Sequence, residues 1–227
     1  MKSDLVQMAS ISCILFDLDG TLYDSPAYNE YFDSKMAAIV ADFLHVDLSE
    51  ATRLLKERRR EKGTLTRAME SLGINRLEFH RLVAKHVDPA RFLSKDQTTT
   101  DLIIRLKARG FRVGLVSNSG RELVAKILNT LGLKANLFDL IVTGSEVEPK
   151  PSHQPFLVAL AKLQCEKSST VYVGDREEAE ILPAYQIGLK TVLINRTHEK
   201  HVSKYADVTI HELSELERAI ETEFEPV

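Results

Sequence analysis

The sequence ISCILFDLDGTLYD, residues 11–24, decides how the rest of the chain is interpreted. Residues 12–16 form a short apolar run, which predicts a strand buried on both faces. Asp17 and Asp19 follow at the end of this strand, with no cationic residue beside them in sequence. Burying two carboxylates is costly unless a metal ion compensates their charge. Gly20 allows a sharp turn and Thr21 adds a hydroxyl and an amide donor, so the stretch predicts a site for phosphate and magnesium.

The segment that follows is predicted to be entirely helical. Apolar residues recur there at three- and four-residue spacing, and Gly and Pro interrupt the pattern. We predict a helix that opens at Pro26, a second at residues 49–61 with Ser49 as its N-cap, a third at 64–72 and a fourth at 76–86.

Strand and helix patterns alternate in the rest of the chain. Strands are predicted at residues 112–116, 140–142, 171–173, 191–194 and 208–210. Helices are predicted at residues 101–109, 122–131, from a cap at Ser152 to residue 163, at 179–187 and near the C-terminus. Such alternation predicts an α/β fold with a Rossmann-like, doubly wound parallel sheet. Residues 1–23 and 92–227 then form the core, and residues 24–91 form an inserted helical domain.

Polar residues follow three of the predicted strands. Asp17, Ser117 and Asp175 each stand where an apolar strand ends. Ligands of open parallel sheets bind at the carboxyl ends of the strands. We therefore expect these three side chains to meet at one edge of the sheet.

Composition narrows the class of protein. The chain has 227 residues and a net charge of -3 with mixed signs, which gives no reason to expect binding to nucleic acid or a membrane. No segment approaches the roughly 20 consecutive apolar residues of a membrane span, and residues 1–10 have no apolar signal-peptide core. The two cysteines are expected to be reduced core residues. These features predict a cytoplasmic protein.

Residues 17–22, DLDGTL, resemble the nucleophile motif of the haloacid dehalogenase (HAD) superfamily, and three further motifs of that superfamily follow in order. Ser117 in VSN matches the second-motif hydroxyl, Lys150 in EPKPS the third-motif lysine, and Asp175 in VGD the fourth-motif acid. The resemblance implies that Asp17 is a nucleophile that forms an aspartyl phosphate. It implies that Asp19 is the general acid and base.

The resemblance also implies a Mg²⁺ cofactor. Its ligands would be Asp17, Asp175 and the backbone carbonyl of Asp19. Many members have a second Asp five residues after the first acid of the fourth motif, where this chain has Glu180. We expect Glu180 to belong to the metal site.

The role of the glutamate remains open at this point. Glu180 could reach the metal through water or hold Lys150. Two neighbouring acids, Glu177 and Glu178, could also substitute for it.

The helical insertion is expected to act as a cap over the active site, because a HAD insertion between the first two motifs does so. Residues 57–83, ERRREKGTLTRAMESLGINRLEFHRLV, resemble the pyrimidine 5'-nucleotidase-like members, and phosphoglycolate phosphatase-like members are a second possible relation. Lys62 replaces the aromatic residue usual before the glycine. The expected substrate contacts are Thr21, Tyr23, Asn118, Lys62 and Arg67.

The leading functional hypothesis is a Mg²⁺-dependent phosphatase that hydrolyses a small-molecule phosphomonoester, such as a nucleotide monophosphate or another metabolite phosphate. Asp19 favours phosphate substrates, because the dehalogenases of the superfamily act on carbon and lack this acid. A phosphomutase, a phospho-accepting signalling domain and a binding protein without turnover are alternatives. The sequence predicts no oligomeric state.

Overall fold

A six-stranded sheet forms the centre of the computed structural model, which describes residues 10–197 and 202–224. The strands are β1 (Cys13–Phe16), β2 (Arg112–Val116), β3 (Leu140–Val142), β4 (Thr170–Gly174), β5 (Lys190–Ile194) and β6 (Val208–Ile210). They lie in the order β3-β2-β1-β4-β5-β6, and each neighbouring pair is parallel. The predicted doubly wound α/β fold is confirmed. The expectation about a leader concerns residues 1–10, of which 1–9 lie outside the described part.

The segment between β1 and β2 is helical, as predicted. It contains α1 (Pro26–Leu44), α2 (Leu48–Lys62), α3 (Leu65–Ser71), α4 (Arg76–His86), a 3₁₀ turn (Pro89–Arg91) and α5 (Gln97–Ala108). The later helices are α6 (Arg121–Leu131), α7 (Gln154–Leu163), α8 (Leu182–Gln186) and α9 (Leu216–Glu223). Among the described residues, none of the helices has the length and apolarity needed to cross a membrane. The domain bounds at residues 24 and 91 stay a prediction.

Two predicted helix starts on the insertion side are wrong. Ser49 is not the N-cap of α2, because Asp47 Oδ1 accepts a hydrogen bond from the backbone N–H of Glu50 at 2.9 Å and starts the helix at Leu48. Helix α5 likewise begins before the predicted residue 101, since the side chain of Asp96 caps it. In both cases an Asp further upstream satisfies the first free N–H groups.

Two helix starts near the sheet edge also differ from prediction. His153 rather than Ser152 is the N-cap of α7, and the Ser152 hydroxyl accepts a hydrogen bond from the backbone N–H of Gln154 at 3.2 Å. The helix predicted at residues 179–187 begins earlier, as a π-helical turn (Glu177–Ile181) that leads into α8. π-Helical turns are rare and frequently mark functional sites.

Both faces of β1 are covered, which explains its apolar sequence. Ile14 and Phe16 pack into the larger apolar cluster, which continues into the inserted helices. Cys13 and Leu15 pack on the opposite face, against Phe156 of α7. Successive side chains of a strand point to opposite faces, so each residue of this short run fills one of the two cores. The strand is thereby fixed, and the residue that follows it has a defined position.

The strand ends are aligned at the carboxyl edge of the sheet. Phe16 is in register with Leu115 of β2 and Val173 of β4. The backbone N–H of Asp17 donates to the carbonyl of Val173 at 2.9 Å, which extends the ladder by one residue. The first residue after β1 is therefore held directly beside the end of β4.

Candidate active site

The loop after β1 makes a tight turn over the sheet edge. Gly20 has a φ of 88°, in the left-handed region that favours glycine. A Cβ atom at this position would collide with the carboxylate of Asp175. From the end of β5, the Arg196 guanidinium donates to the carbonyls of Gly20 and Thr21 at 3.3 and 2.7 Å. The loop is thus anchored on the side away from the insertion.

Three acidic side chains converge at this edge. Asp17, Asp175 and Glu180 each place one carboxylate oxygen so that all three lie within 4.8 Å of one another. Two oxygens of the cluster, Asp17 Oδ2 and Asp175 Oδ1, are buried and have no hydrogen-bond partner in the described part of the chain. Buried polar atoms usually have a partner, and carboxylate oxygens are the ligands that hard divalent cations prefer. The cluster therefore suits a divalent metal ion.

Lys150 is the cation of the cluster, and its side chain is fully buried. Its Nζ lies 2.5 Å from Asp17 Oδ1 and 3.1 Å from Glu180 Oε1. It also donates to the carbonyl of Val116 at 3.0 Å and to the Tyr172 hydroxyl at 2.8 Å. These partners hold the ammonium in one position, between the end of β2 and the acidic residues.

The main chain at Lys150 is fixed by Asn118. The Asn118 amide donates to the Lys150 carbonyl at 2.9 Å, and its carbonyl oxygen accepts from the Lys150 N–H at 2.7 Å. Asn118 also lines the cavity beside the site. The residue that was expected to contact substrate therefore also joins the loop after β2 to the loop before α7.

Glu180 contacts Lys150, which is one of the two roles that the sequence left open, and it also belongs to the acidic cluster. Its carboxylate also accepts from the Arg176 guanidinium at 2.8 Å and from the backbone N–H of Asp175 at 3.3 Å. A Cβ at Gly174 would lie 2.5 Å from Glu180 Oε2, so the glycine makes room for the longer side chain. The two alternatives do not join the cluster: Glu178 is exposed, and Glu177 accepts a hydrogen bond from the backbone N–H of residue 204.

Burial and mutual repulsion shift the protonation of these acids in the metal-free protein. Burial, then the charge of Glu180, raises the pKa of Asp17 to about 7. Burial followed by the charges of Glu180 and Asp17 raises the pKa of Asp175 to about 8. Burial acts in the same direction on Glu180, but Lys150 and Arg176 outweigh it and lower the pKa of Glu180 to about 2. Two of the three acids are thus poised to exchange a proton for a metal ion.

Asp19 belongs to a different hydrogen-bond network. Its Oδ1 accepts a hydrogen bond from the Tyr23 hydroxyl, and its Oδ2 accepts from the Ser119 hydroxyl at 2.9 Å. The backbone N–H of Ser119 donates in turn to Ser117 Oγ at 3.0 Å. Asp19 lines the cavity, so its carboxylate is oriented at the cavity wall without touching Lys150.

The cavity lies between the inserted helices and the sheet edge and has a volume of about 350 Å³. The core contributes the loop after β1, the loop after β2 and residues next to Asp175. The insertion contributes α1, the end of α2, the start of α3, and α4. The side chains from the insertion and its first loop include Asp24, Tyr28, Phe32, Asp33, Arg59, Thr64, Thr66, Phe79 and His80.

The five expected substrate contacts are distributed unevenly around the cavity. Asn118 lines it, while Tyr23 is buried and bonded to Asp19, and Thr21 is buried with a hydroxyl that has no partner among the described residues. Lys62 and Arg67 do not line it, and their contact with substrate stays a prediction. Gly63 ends α2 in a left-handed turn, and Arg59 in the last turn of α2 lines the cavity.

Several residues of the site were missed by sequence reasoning. Ser119 stands two residues after Ser117, and this spacing alone could have marked it. Arg176 follows Asp175 directly, but its ion pair depends on the π-helical turn. Tyr172 and Arg196 carry no sequence signal, because their contacts depend on how neighbouring strands align.

Comparison with known proteins agrees with this geometry. The profile of the haloacid dehalogenase-like hydrolase family matches residues 14–194 of the chain. The chain belongs to this family. The HAD match spans both the sheet and the insertion, so it covers the acidic cluster and the cavity together.

Curated HAD relatives are phosphatases. The chain is 29% identical over 218 residues to a glyceraldehyde 3-phosphate phosphatase of Methanocaldococcus jannaschii, covering 91% of this chain and 95% of that protein. It is 30% identical over 220 residues to a phosphoglycolate phosphatase of Aquifex aeolicus, covering 89% and 93%. The crystal structure of a HAD phosphatase from Thermococcus onnurineus has the same fold, with a TM-score of 0.73, 24% identity and coverage of 95% and 100%. The chain is a hydrolase of phosphate esters.

Proposed function

We propose that this HAD hydrolase is a Mg²⁺-dependent phosphatase that cleaves small-molecule phosphomonoesters through an aspartyl phosphate on Asp17. The observation that supports it most is that two carboxylates of one loop have different positions and different hydrogen-bond partners. Asp17 lies beside Lys150 in the acidic cluster, whereas Asp19 is held at the cavity wall by Tyr23 and Ser119. The small metabolite phosphates named for the relatives fit a cavity of this size.

The metal would be held by Asp17 and Asp175, each of which has a buried carboxylate oxygen without a partner among the described residues, together with Glu180. When bound, Mg²⁺ supplies positive charge that offsets the negative charge on the transferring phosphoryl group. A Mg²⁺ site that keeps several waters typically has only oxygen ligands from the protein, and two or three carboxylates can supply them.

The chemistry falls to the two Asp residues of the loop. One carboxylate oxygen of Asp17 attacks phosphorus, and the bond between phosphorus and the ester oxygen breaks as Asp19 donates a proton to that oxygen. Asp19 then removes a proton from water, the water oxygen attacks phosphorus, and the Asp17–phosphorus bond breaks to release inorganic phosphate. Lys150 keeps Asp17 oriented through both steps, and the Ser117 hydroxyl and the Asn118 side chain would bind phosphate oxygens.

We also propose that residues 24–91 act as a cap domain on a core formed by residues 1–23 and 92–227. The cavity supports this division, since one of its walls belongs to the inserted helices and the other to the sheet edge. A cap that closes over substrate excludes water from the reacting phosphate.

The experiment is phosphate release from a panel of small phosphates, with Mg²⁺ and with chelator, for the native chain and Asp17→Asn. We expect Mg²⁺-dependent release that the variant loses by at least about a thousandfold. Asp101→Asn, an identical change on the exposed face of α5, should keep full activity. An Asp17→Asn protein with normal turnover would refute the proposal, and a phosphorylated Asp17 that persists for many minutes would favour the signalling alternative.

A further inference from the structure

Two polar groups in the cavity have no role in the chemistry described above. Tyr28 on α1 is 2% exposed and His80 on α4 is 7% exposed. Both side chains line the cavity, and neither Tyr28 Oη nor His80 Nε2 has a hydrogen-bond partner in the part of the chain that the structure describes. Buried polar atoms are rarely left without a partner. A ligand in the cavity would supply one.

The packing around His80 shows that its position is built into the fold. A Cβ at Gly120 would lie 2.7 Å from the His80 ring, and one at Gly144 would lie 3.2 Å from Nε2. The ring of Phe79 lies against it, with the ring centres 5.2 Å apart. Two glycines of the core thus leave room for an imidazole that comes from the insertion.

Tyr28 is fixed by aromatic neighbours in the same way. Its ring meets Tyr23 edge to face at 5.9 Å and lies 6.2 Å from Phe32. Its hydroxyl therefore has a defined place in the cavity wall. A fixed donor of this kind binds a ligand oxygen at little cost in side-chain entropy.

Both groups are uncharged near neutral pH. Burial lowers the pKa of His80 below its usual value, and burial raises the pKa of the Tyr28 phenol above its usual value. They can bind hydroxyl or carbonyl oxygens, but they offer no net charge to an anion.

The cations at the cavity already have anionic partners. Among the described residues that line it, Arg59 pairs with Asp33 at 3.0 Å and Arg176 pairs with Glu180 at 2.8 Å. Asp24 also lines the cavity and adds a further negative charge to it. The half of the cavity formed by the insertion therefore repels any anionic group that the substrate carries besides the reacting phosphate. It favours an uncharged polar group, which Tyr28 and His80 can bind.

We propose that the cavity selects phosphomonoesters whose organic part is uncharged and carries hydroxyl or carbonyl groups, which Tyr28 and His80 bind. Substrates that carry a carboxylate or a second phosphate beside the reacting phosphate are disfavoured. This inference rests on the proposed phosphatase function and narrows its substrate class.

A matched pair of substrates tests it directly. Glycerol 3-phosphate carries a hydroxymethyl group where 3-phosphoglycerate carries a carboxylate. Glycolaldehyde phosphate and phosphoglycolate repeat the contrast with an aldehyde in place of the carboxylate. We expect kcat/KM to be at least about tenfold higher for the uncharged member of each pair. Tyr28→Phe and His80→Asn, which remove Oη and Nε2, should each lower that preference by about three- to tenfold. Equal kcat/KM values within both pairs would overturn the inference.

Removing a negative charge from the cavity should improve the use of anionic substrates. Asp33→Asn leaves Arg59 without its carboxylate, so the relative kcat/KM for 3-phosphoglycerate should rise by about three- to tenfold. The control is Glu61→Gln, which leaves Arg58 without its partner on the same helix but outside the cavity. An equal rise in the control would contradict the assignment to the cavity.

A binding measurement tests this inference independently of the proposed phosphatase activity. Calorimetric titration of Asp17→Asn with the same four compounds and Mg²⁺ measures selection without turnover. Tighter binding of the uncharged members supports the inference even if the native chain hydrolyses none of them, which would refute only the phosphatase proposal. Equal or reversed binding, or no binding of any compound, would overturn the inference whatever the turnover.

Discussion

Replacing Glu180 by glutamine should destabilise the metal-free protein by about 2 to 3 kcal/mol. The pKa of Glu180 is lowered from 4.5 to about 2, and each unit corresponds to about 1.4 kcal/mol, which gives an upper value of about 3 to 4 kcal/mol. Removing the charge also relieves the repulsion that Glu180 exerts on Asp17 and Asp175, so the observed loss should lie somewhat lower. Lys150 keeps three of its four partners, which prevents a larger effect.

The destabilisation caused by Glu180→Gln should depend on pH in a defined direction. A carboxyl group whose pKa is lower in the folded protein stabilises it above the unfolded-state pKa and loses that contribution as the pH falls towards the folded-state value. The difference between the native chain and Glu180→Gln should therefore be full at about pH 7 and should shrink below about pH 4.5.

The assay is urea unfolding followed by far-ultraviolet circular dichroism, in the presence of chelator. Glu178→Gln is the matched control, because it makes the same chemical change at an exposed position of the same segment. The control should change stability by no more than about 0.5 kcal/mol. If Glu180→Gln lost less than about 1 kcal/mol at neutral pH, the two cations would not depend on this carboxylate and the electrostatic account of the site would be wrong.

Two further predictions concern the ionisation of the proposed metal ligands Asp17 and Asp175 and the orientation of Asp19. The folded-state pKa values of Asp17 and Asp175 are raised to about 7 and about 8. The stability of the metal-free protein should therefore fall, and its affinity for Mg²⁺ should rise, as the pH increases from about 5 to 8. A urea midpoint and a Mg²⁺ Kd that both stay constant over this range would contradict the assignment. Tyr23→Phe should lower kcat about tenfold and leave KM within about threefold, since Asp19 keeps only its Ser119 hydrogen bond; an unchanged kcat would show that Tyr23 does not orient the acid.

The parts of the fold that depend on local pattern were predictable. The apolar run before Asp17 predicted β1, and the residues after β2 and β4 predicted the sheet edge, because parallel strands bring their carboxyl ends together. Helix starts were less predictable where an upstream Asp competes with a Ser for the cap, as Asp47 does with Ser49. Both residue types satisfy the same free N–H groups, so composition alone does not choose between them.

Contacts between residues of different secondary-structure elements could not be predicted from the sequence. Lys62 and Arg67 were expected at the substrate because they lie near the glycine, but the described cavity is lined by Arg59, and the sequence did not indicate which of these cations faces it. His80 carries no signal in its own helix. Its place depends on two glycines far away in sequence, which only the folded chain brings to it.

The replacement of a fourth-motif Asp by Glu180 is explained by its surroundings. The absence of a side chain at Gly174 leaves space for Oε2 of the longer glutamate. The backbone also differs from a regular helix at this point, since the N–H of Ile181 donates to the carbonyl of Arg176 in a π-helical turn. Together these features let one carboxylate neutralise both Lys150 and Arg176. Gly174→Ala should consequently disturb the site through Glu180, so the glycine and the glutamate act as a unit rather than as independent positions.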